Sequence, residues 1–150
     1  MVCACMYRPP ASQEQYNQPL ANAIENISDI DANQYLICGD FNYRDIDWIN
    51  QYVPDSAHDE RYFYDSVQSA FLHQHVDQFT RQRGSNRRSI LDLIFTKNEL
   101  EIQQIEYQMP VAKSDHSVLV FDFFLEGRFQ HDDEKTAKRK FFKGNYEKNE

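Results

Sequence analysis

No stretch of this chain approaches the roughly twenty consecutive apolar residues of a membrane span, and no charged-then-apolar leader precedes Met1. Both absences read as a soluble, intracellular protein of the nucleus or cytoplasm, with no membrane partner. Cysteine is sparse: Cys3, Cys5 and Cys38 are an odd number without metal-ligand spacing. All three fall in strand-like segments, so buried free thiols are expected rather than disulfides. Net positive charge is lacking too. A formal charge of −8 argues against nonspecific nucleic-acid binding by the chain as a whole. There is no internal repeat and no low-complexity tract. At 150 residues and 41% apolar content the chain is one domain at most, with enough to bury a core.

What is present organises around Tyr35-Leu36-Ile37-Cys38-Gly39-Asp40-Phe41-Asn42. A strand-forming run meets a glycine, then an acid and an amide two positions apart. Alternation along an extended chain puts Asp40 and Asn42 on one side and Phe41 in the interior. A carboxylate and an amide at a strand end suit a hard cation and a phosphate oxygen, although the same residue types crowd into ordinary turns. Before this stretch, Val2 to Tyr7 is a short strand stopped by Arg8-Pro9-Pro10. Ser12-x-x-Gln15 is a capping box, and Tyr16, Leu20, Ala23, Ile24 and Ile27 form one apolar stripe of a helix ending near Asp31 to Asn33. Strand, helix, strand is a βαβ unit with parallel pairing.

Residues 43–58 read as a surface loop anchored by Trp48. A second helix, capped by Asp59 or a neighbour, presents Phe63, Val67, Ala70 and Phe71 on one face. Strands are expected at Val76 to Thr80, Ser89 to Thr96, Ile102 to Tyr107 and Val118 to Leu125. Between the first two lies a hairpin tip with Gly84-Ser85-Asn86 turn chemistry. Its arginines, Arg81, Arg83, Arg87 and Arg88, stand out in an acidic chain. Residues 126–150 read as a charged linker or tail.

Asp92 interrupts Ile90 to Phe95, a strand apolar on both faces, so its carboxylate needs a lasting partner. That partner is either a set of backbone N–H groups or a histidine oriented as in a catalytic triad. Of the five histidines, His116 in Lys113-Ser114-Asp115-His116 stands immediately before a strand, where it could reach a cleft at the strand ends.

Four ordered motifs, Tyr7-Arg8-Pro9-Pro10, Gly39-Asp40-Phe41-Asn42, Leu91-Asp92-Leu93-Ile94-Phe95 and Ser114-Asp115-His116, resemble the second half of the endonuclease/exonuclease/phosphatase superfamily. The resemblance runs from about Val2 to Leu125 and is nearest to the endonuclease domains of non-LTR, LINE-like retrotransposons. Phe141 to Tyr146 is similar to the connector toward the reverse transcriptase in such elements. The resemblance implies an α/β fold, the C-terminal half of the four-layer α/β sandwich of the endonuclease/exonuclease/phosphatase (DNase I-like) class. It also implies a Mg²⁺- (or Mn²⁺-) dependent phosphodiesterase that nicks DNA. Tyr7 would hydrogen-bond the scissile phosphate. Asp40 would orient or deprotonate the attacking water, with Asn42 stabilising phosphate oxygens. Asp115 would belong to the metal environment, and His116, held by Asp92, would bind phosphate or transfer a proton. Arg81, Arg83, Arg87 and Arg88 would form the DNA-contacting loop.

The family's first half, with a strand Asn and a metal-binding Glu, has no counterpart before Tyr7. Residues 1–125 therefore read as a partial domain with impaired activity, weakly bound metal and an exposed sheet face open to self-association. Another phosphodiesterase or phosphatase of the superfamily, or a non-catalytic remnant acting as a binding half-domain, are the alternatives. Tyr7, Asp40, Asn42, Asp92, Asp115 and His116 are expected to converge at one end of one sheet.

Overall fold

The computed structural model describes residues 1–10, 17–82 and 88–126. The capping box at residues 12–15, Tyr16, Arg83 and Arg87, the hairpin tip and the tail beyond residue 126 lie outside them. The order of elements is β1 (Val2–Tyr7), α1 (Asn17–Ser28), β2 (Tyr35–Asp40), α2 (His58–Ser69), β3 (His73–Gln74), β4 (Asp92–Thr96), β5 (Ile102–Gln108) and β6 (Val118–Phe123), with a 3₁₀ turn at Glu99–Glu101. The main sheet has the order β1-β2-β4-β3, and β5 and β6 form a separate two-stranded sheet. β1 and β2 run parallel, as strand–helix–strand requires, while β4 lies antiparallel to β2 and to β3. The protein is a mixed α/β fold. Among the described residues no helix is long and apolar enough to cross a membrane.

Helices α1 and α2 pack together, and the core contains Ile24, Phe63 and Val67 from them with Ile37, Leu93 and Phe95 from the sheet. Phe63 stacks on Tyr43 with centroids 4.4 Å apart, and Phe41 meets Phe95 edge-on at 5.5 Å. The segment after β2 is thus no surface loop with one anchor. Tyr43, Ile46, Trp48 and Val53 are all buried, folded back over the core. β5 and β6 lean on this core through Ile102, Ile105, Tyr107, Leu119 and Phe121.

Four local expectations are corrected. Residues 76–80 form no strand: side chains occupy backbone groups of residues 76–78, and Thr80 bonds the Ser89 carbonyl and the Ser117 N–H. Gln74 bonds both the N–H and the carbonyl of Val76, and the Tyr107 hydroxyl accepts from Asp77 and Gln78 N–H at 3.1 and 3.3 Å. Helix α2 begins after Ala57 without a side-chain cap; Asp59 and Glu60 sit inside its first turn instead. Phe71 follows the helix at φ 51°, and this left-handed step throws its ring outward to 82% exposure while Leu72 turns in. The thiols are all free, but Cys3 and Cys5 are exposed rather than buried, because the face of the edge strand β1 that bears them is uncovered among the described residues.

Gly39 has a specific reason to be glycine. It sits at φ 154°, and a Cβ there would lie 1.8 Å from the Met6 carbonyl oxygen of the neighbouring strand. The obstacle is backbone and cannot swing aside. Gly39→Ala is therefore expected to cost about 3 kcal/mol, read as a drop in the urea midpoint.

His75 generates a pH prediction. Burial, then the neighbouring His73 ring, lowers its pKa to about 4. The Thr96 hydroxyl donates to the Asn98 carbonyl, so the 2.7 Å bond from His75 requires its Nε2 to carry the proton. The unfolded chain binds this proton near pH 6.5 and the folded chain only near 4. Stability contributed by neutral His75 is complete above pH 6.5 and is lost as pH falls toward 4. His75→Gln should flatten the fall in urea midpoint across that window relative to the parent.

Candidate active site

The site is built on one rung of the main sheet. Asp40 ends β2, Asp92 opens β4, and the antiparallel register sets them opposite each other; Tyr7, at the end of β1, pairs with Asp40 on the other side. His116 arrives from the β5–β6 connection. Its Nδ1 lies 2.9 Å from Asp92 Oδ2. A carboxylate accepts, so Nδ1 carries the proton and Nε2 is left for chemistry. The loop is fixed from several sides. Gln82 N–H donates to the Asp115 carbonyl at 3.1 Å, Ser117 N–H to the Thr80 carbonyl at 2.7 Å, and His116 N–H to Ser114 Oγ at 3.1 Å.

Charge explains the rest of the arrangement. Burial and then the facing Asp92 carboxylate raise the pKa of Asp40, against the opposing pull of His116 and of bonds from Asn42. Asp115 goes the other way: Arg81 Nε donates to its Oδ2 at 2.9 Å and lowers its pKa. Asp40, Asp92 and His116 each offer one ligand atom, all within 4.8 Å of one another. Two carboxylates that repel across a rung fit a divalent cation, which would relieve the repulsion. The donor set is lean, however, since His116 Nδ1 is committed to Asp92 and the two carboxylates are left as the ligands.

The residues marked in the sequence are placed as follows. Asp40, Asp92 and His116 come together, with Tyr7 beside them, its side chain largely exposed. Asn42 departs from the expected alternation. It takes φ 51°, is buried, and spends its Nδ2 donor on the Arg8 carbonyl at 2.8 Å. Its backbone N–H turns to Asp40 Oδ1, at 3.2 Å, and its side chain also bonds that carboxylate. Asp115 stands on the far side of His116, its Oδ1 4.0 Å from Nε2, outside the Asp40–Asp92–His116 group. Arg81 is engaged with Asp115, whereas Arg88 is exposed at the base of the hairpin.

Two positioning residues were not singled out from the sequence. Arg8, a strand stop within the Tyr7-Arg8-Pro9-Pro10 motif that was given no role of its own, is buried. Its guanidinium donates to Asn17 Oδ1 at 2.9 Å and to the Asn42 carbonyl at 3.1 Å, and lies 4.1 Å over the Tyr43 ring. Thr80 is fully buried, and its Oγ1 accepts from the N–H groups of both Leu91 and Asp92, at 3.0 and 3.1 Å. This hydroxyl replaces a ladder partner at the start of β4 and holds Asp92 in place. Thr80→Val keeps the volume and strands two buried donors. It should lower stability by about 2–3 kcal/mol in urea unfolding, and in hydrogen exchange the loss of protection should centre on Leu91 and Asp92.

With this geometry in hand, comparisons with known proteins are informative. A family model described as endonuclease–reverse transcriptase matches residues 1–120. The solved endonuclease domain of TRAS1, a telomere-specific non-LTR retrotransposon, is similar with a TM-score of 0.55 at 19% identity, covering 81% of this chain. The match covers 56% of the TRAS1 domain structure, so this chain spans a little over half of its length. At that identity the likeness concerns the fold, which is that of the endonuclease/exonuclease/phosphatase class. No curated protein matches. The chain belongs to the endonuclease–reverse transcriptase family.

Proposed function

We propose that the chain carries the acid–base and phosphate-binding half of a divalent-metal-dependent endonuclease that nicks DNA, acting where the cell keeps that substrate. The observation that carries this reading is the convergence of Asp40, Asp92 and His116 from three separate segments within 4.8 Å. The reading that residues 1–125 form part of a larger domain draws support from the 56% coverage of the TRAS1 structure, and that this part is the C-terminal half rests on the order of the four motifs. The sparse donor set supports weak metal binding and impaired activity of the chain on its own.

In this mechanism Asp92 keeps His116 oriented through Nδ1, so that Nε2 is presented to a non-bridging phosphate oxygen. Asp40, a better base than an exposed aspartate because of its raised pKa, orients the attacking water and takes its proton. Tyr7, one strand over on the same rung, offers a hydroxyl to the phosphate from the exposed side. Asn42 holds Asp40 through its backbone N–H and its side chain, and the Arg81–Asp115 pair walls the far side of His116. A divalent ion held by Asp40 and Asp92 would supply neutralisation of the phosphate charge.

The test is nicking of supercoiled plasmid. Weak conversion to open circles is expected with Mg²⁺ or Mn²⁺ and none without a divalent ion, and Asp40→Asn or His116→Ala should each lower it at least about 100-fold. Arg88→Ala should leave the chemistry intact and flatten the log affinity versus log salt slope for duplex DNA by about one unit. Nicking unchanged in both site variants would remove the assignment. Hydrolysis of small phosphate esters without nicking would point to another phosphodiesterase activity of the same site.

A further inference from the structure

The β5–β6 connection delivers His116, yet its tip is apolar and turned to solvent: Met109 is 87% and Val111 69% exposed. Neither side chain has a role in the core. The tip is held in place rather than trailing. Ser114 N–H closes a turn on the Val111 carbonyl at 3.1 Å, Ala112 takes the left-handed conformation at φ 55°, and the Arg81–Asp115 pair fastens the base at 2.9 Å. A closed turn spans under about 7 Å, and the two residues from Ser114 to His116 reach at most about 7 Å. The Val111 backbone therefore stands within about 14 Å of that of His116, or about four base-pair steps along a duplex.

The charges around the tip narrow the choice of partner. Lys113 lies on the tip and Arg88 at the base of the adjoining hairpin, both exposed. An apolar point beside the exposed Lys113 matches a double helix, whose phosphates meet the cation while the stacked bases accept an apolar side chain. Resting on the DNA-nicking reading above, we propose that Met109 and Val111 form a wedge that enters a base step within about six pairs of the scissile phosphate and unstacks it. Flexible pyrimidine–purine steps, which open most readily, are its preferred place of entry. The wedge bends the strand toward His116 and is a positioning device, not a catalytic group.

The experiment uses short duplexes with 2-aminopurine at a single TA step in a G·C context, in calcium buffer, with anisotropy for binding and emission for unstacking. The parent chain should bind weakly and raise the emission roughly twofold or more. Met109→Ser with Val111→Ser should bind with an unchanged salt slope and give no rise, while Met109→Leu with Val111→Ile should retain it. Binding without a rise in the parent, or a rise that survives the serine pair, overturns the wedge and leaves the nuclease reading standing. A salt slope flattened in the serine pair also overturns it, since the tip would then be contacting phosphates. Absence of any duplex binding by the parent overturns the DNA reading and the wedge with it.

Discussion

Two carboxylates facing each other across one antiparallel rung repel, and the site is arranged around that repulsion. Asp40 and Asp92 occupy directly opposed positions at the ends of β2 and β4, where like charges destabilise a sheet. Three features answer it. His116 donates to Asp92, the Asn42 backbone N–H donates to Asp40, and part of the burden is carried by the raised pKa of Asp40. A structure concerned with stability alone would place a Thr or Val at one of these positions. Keeping both acids makes a pocket of negative potential that favours a cation, and a base stronger than an exposed aspartate.

That rung holds its shape because groups remote from the chemistry leave it little freedom. Thr80 substitutes for a ladder partner at the start of β4, so that β4 begins with Asp92 at a fixed height. Arg8 ties the end of β1 to the start of α1 and to the turn after β2, while stacking on Tyr43. Tyr43 in turn rests on Phe63 of α2. Helix packing is transmitted to the strand ends through this aromatic and guanidinium contact. Packed cores resist small displacements, which is what a site with tolerances of a few tenths of an ångström needs.

The loops divide the remaining work. The segment after β2 is absorbed into the core and gives rigidity. The β5–β6 connection is pinned at its base and bare at its tip, which gives reach. Segments of the second kind are where a hydrolase of this family would meet its substrate, because apolar tips on a fixed base cost little to order on binding.

The elements β1, α1, β2, β5 and β6 and the parallel β1–β2 pairing were legible in the sequence, since alternating or helical apolar spacing within a short segment encodes them directly. Asp40, Asp92 and His116 could be marked too: Asp92 breaks a strand apolar on both faces, and the motifs that hold all three resemble, in order, those of the family. What the sequence could not carry was any relation depending on contact between distant segments. Asn42 leaves the alternation because an Arg8 carbonyl is there to receive its amide. Residues 76–78 lose their ladder because Tyr107 and Gln74 take their hydrogen bonds. Thr80 and Arg8 matter only through partners nine or more residues away. Local spacing fixes which face a side chain takes on its own element. Which neighbour then claims its hydrogen bonds is decided by tertiary packing, because buried polar groups must find a partner wherever the fold brings one.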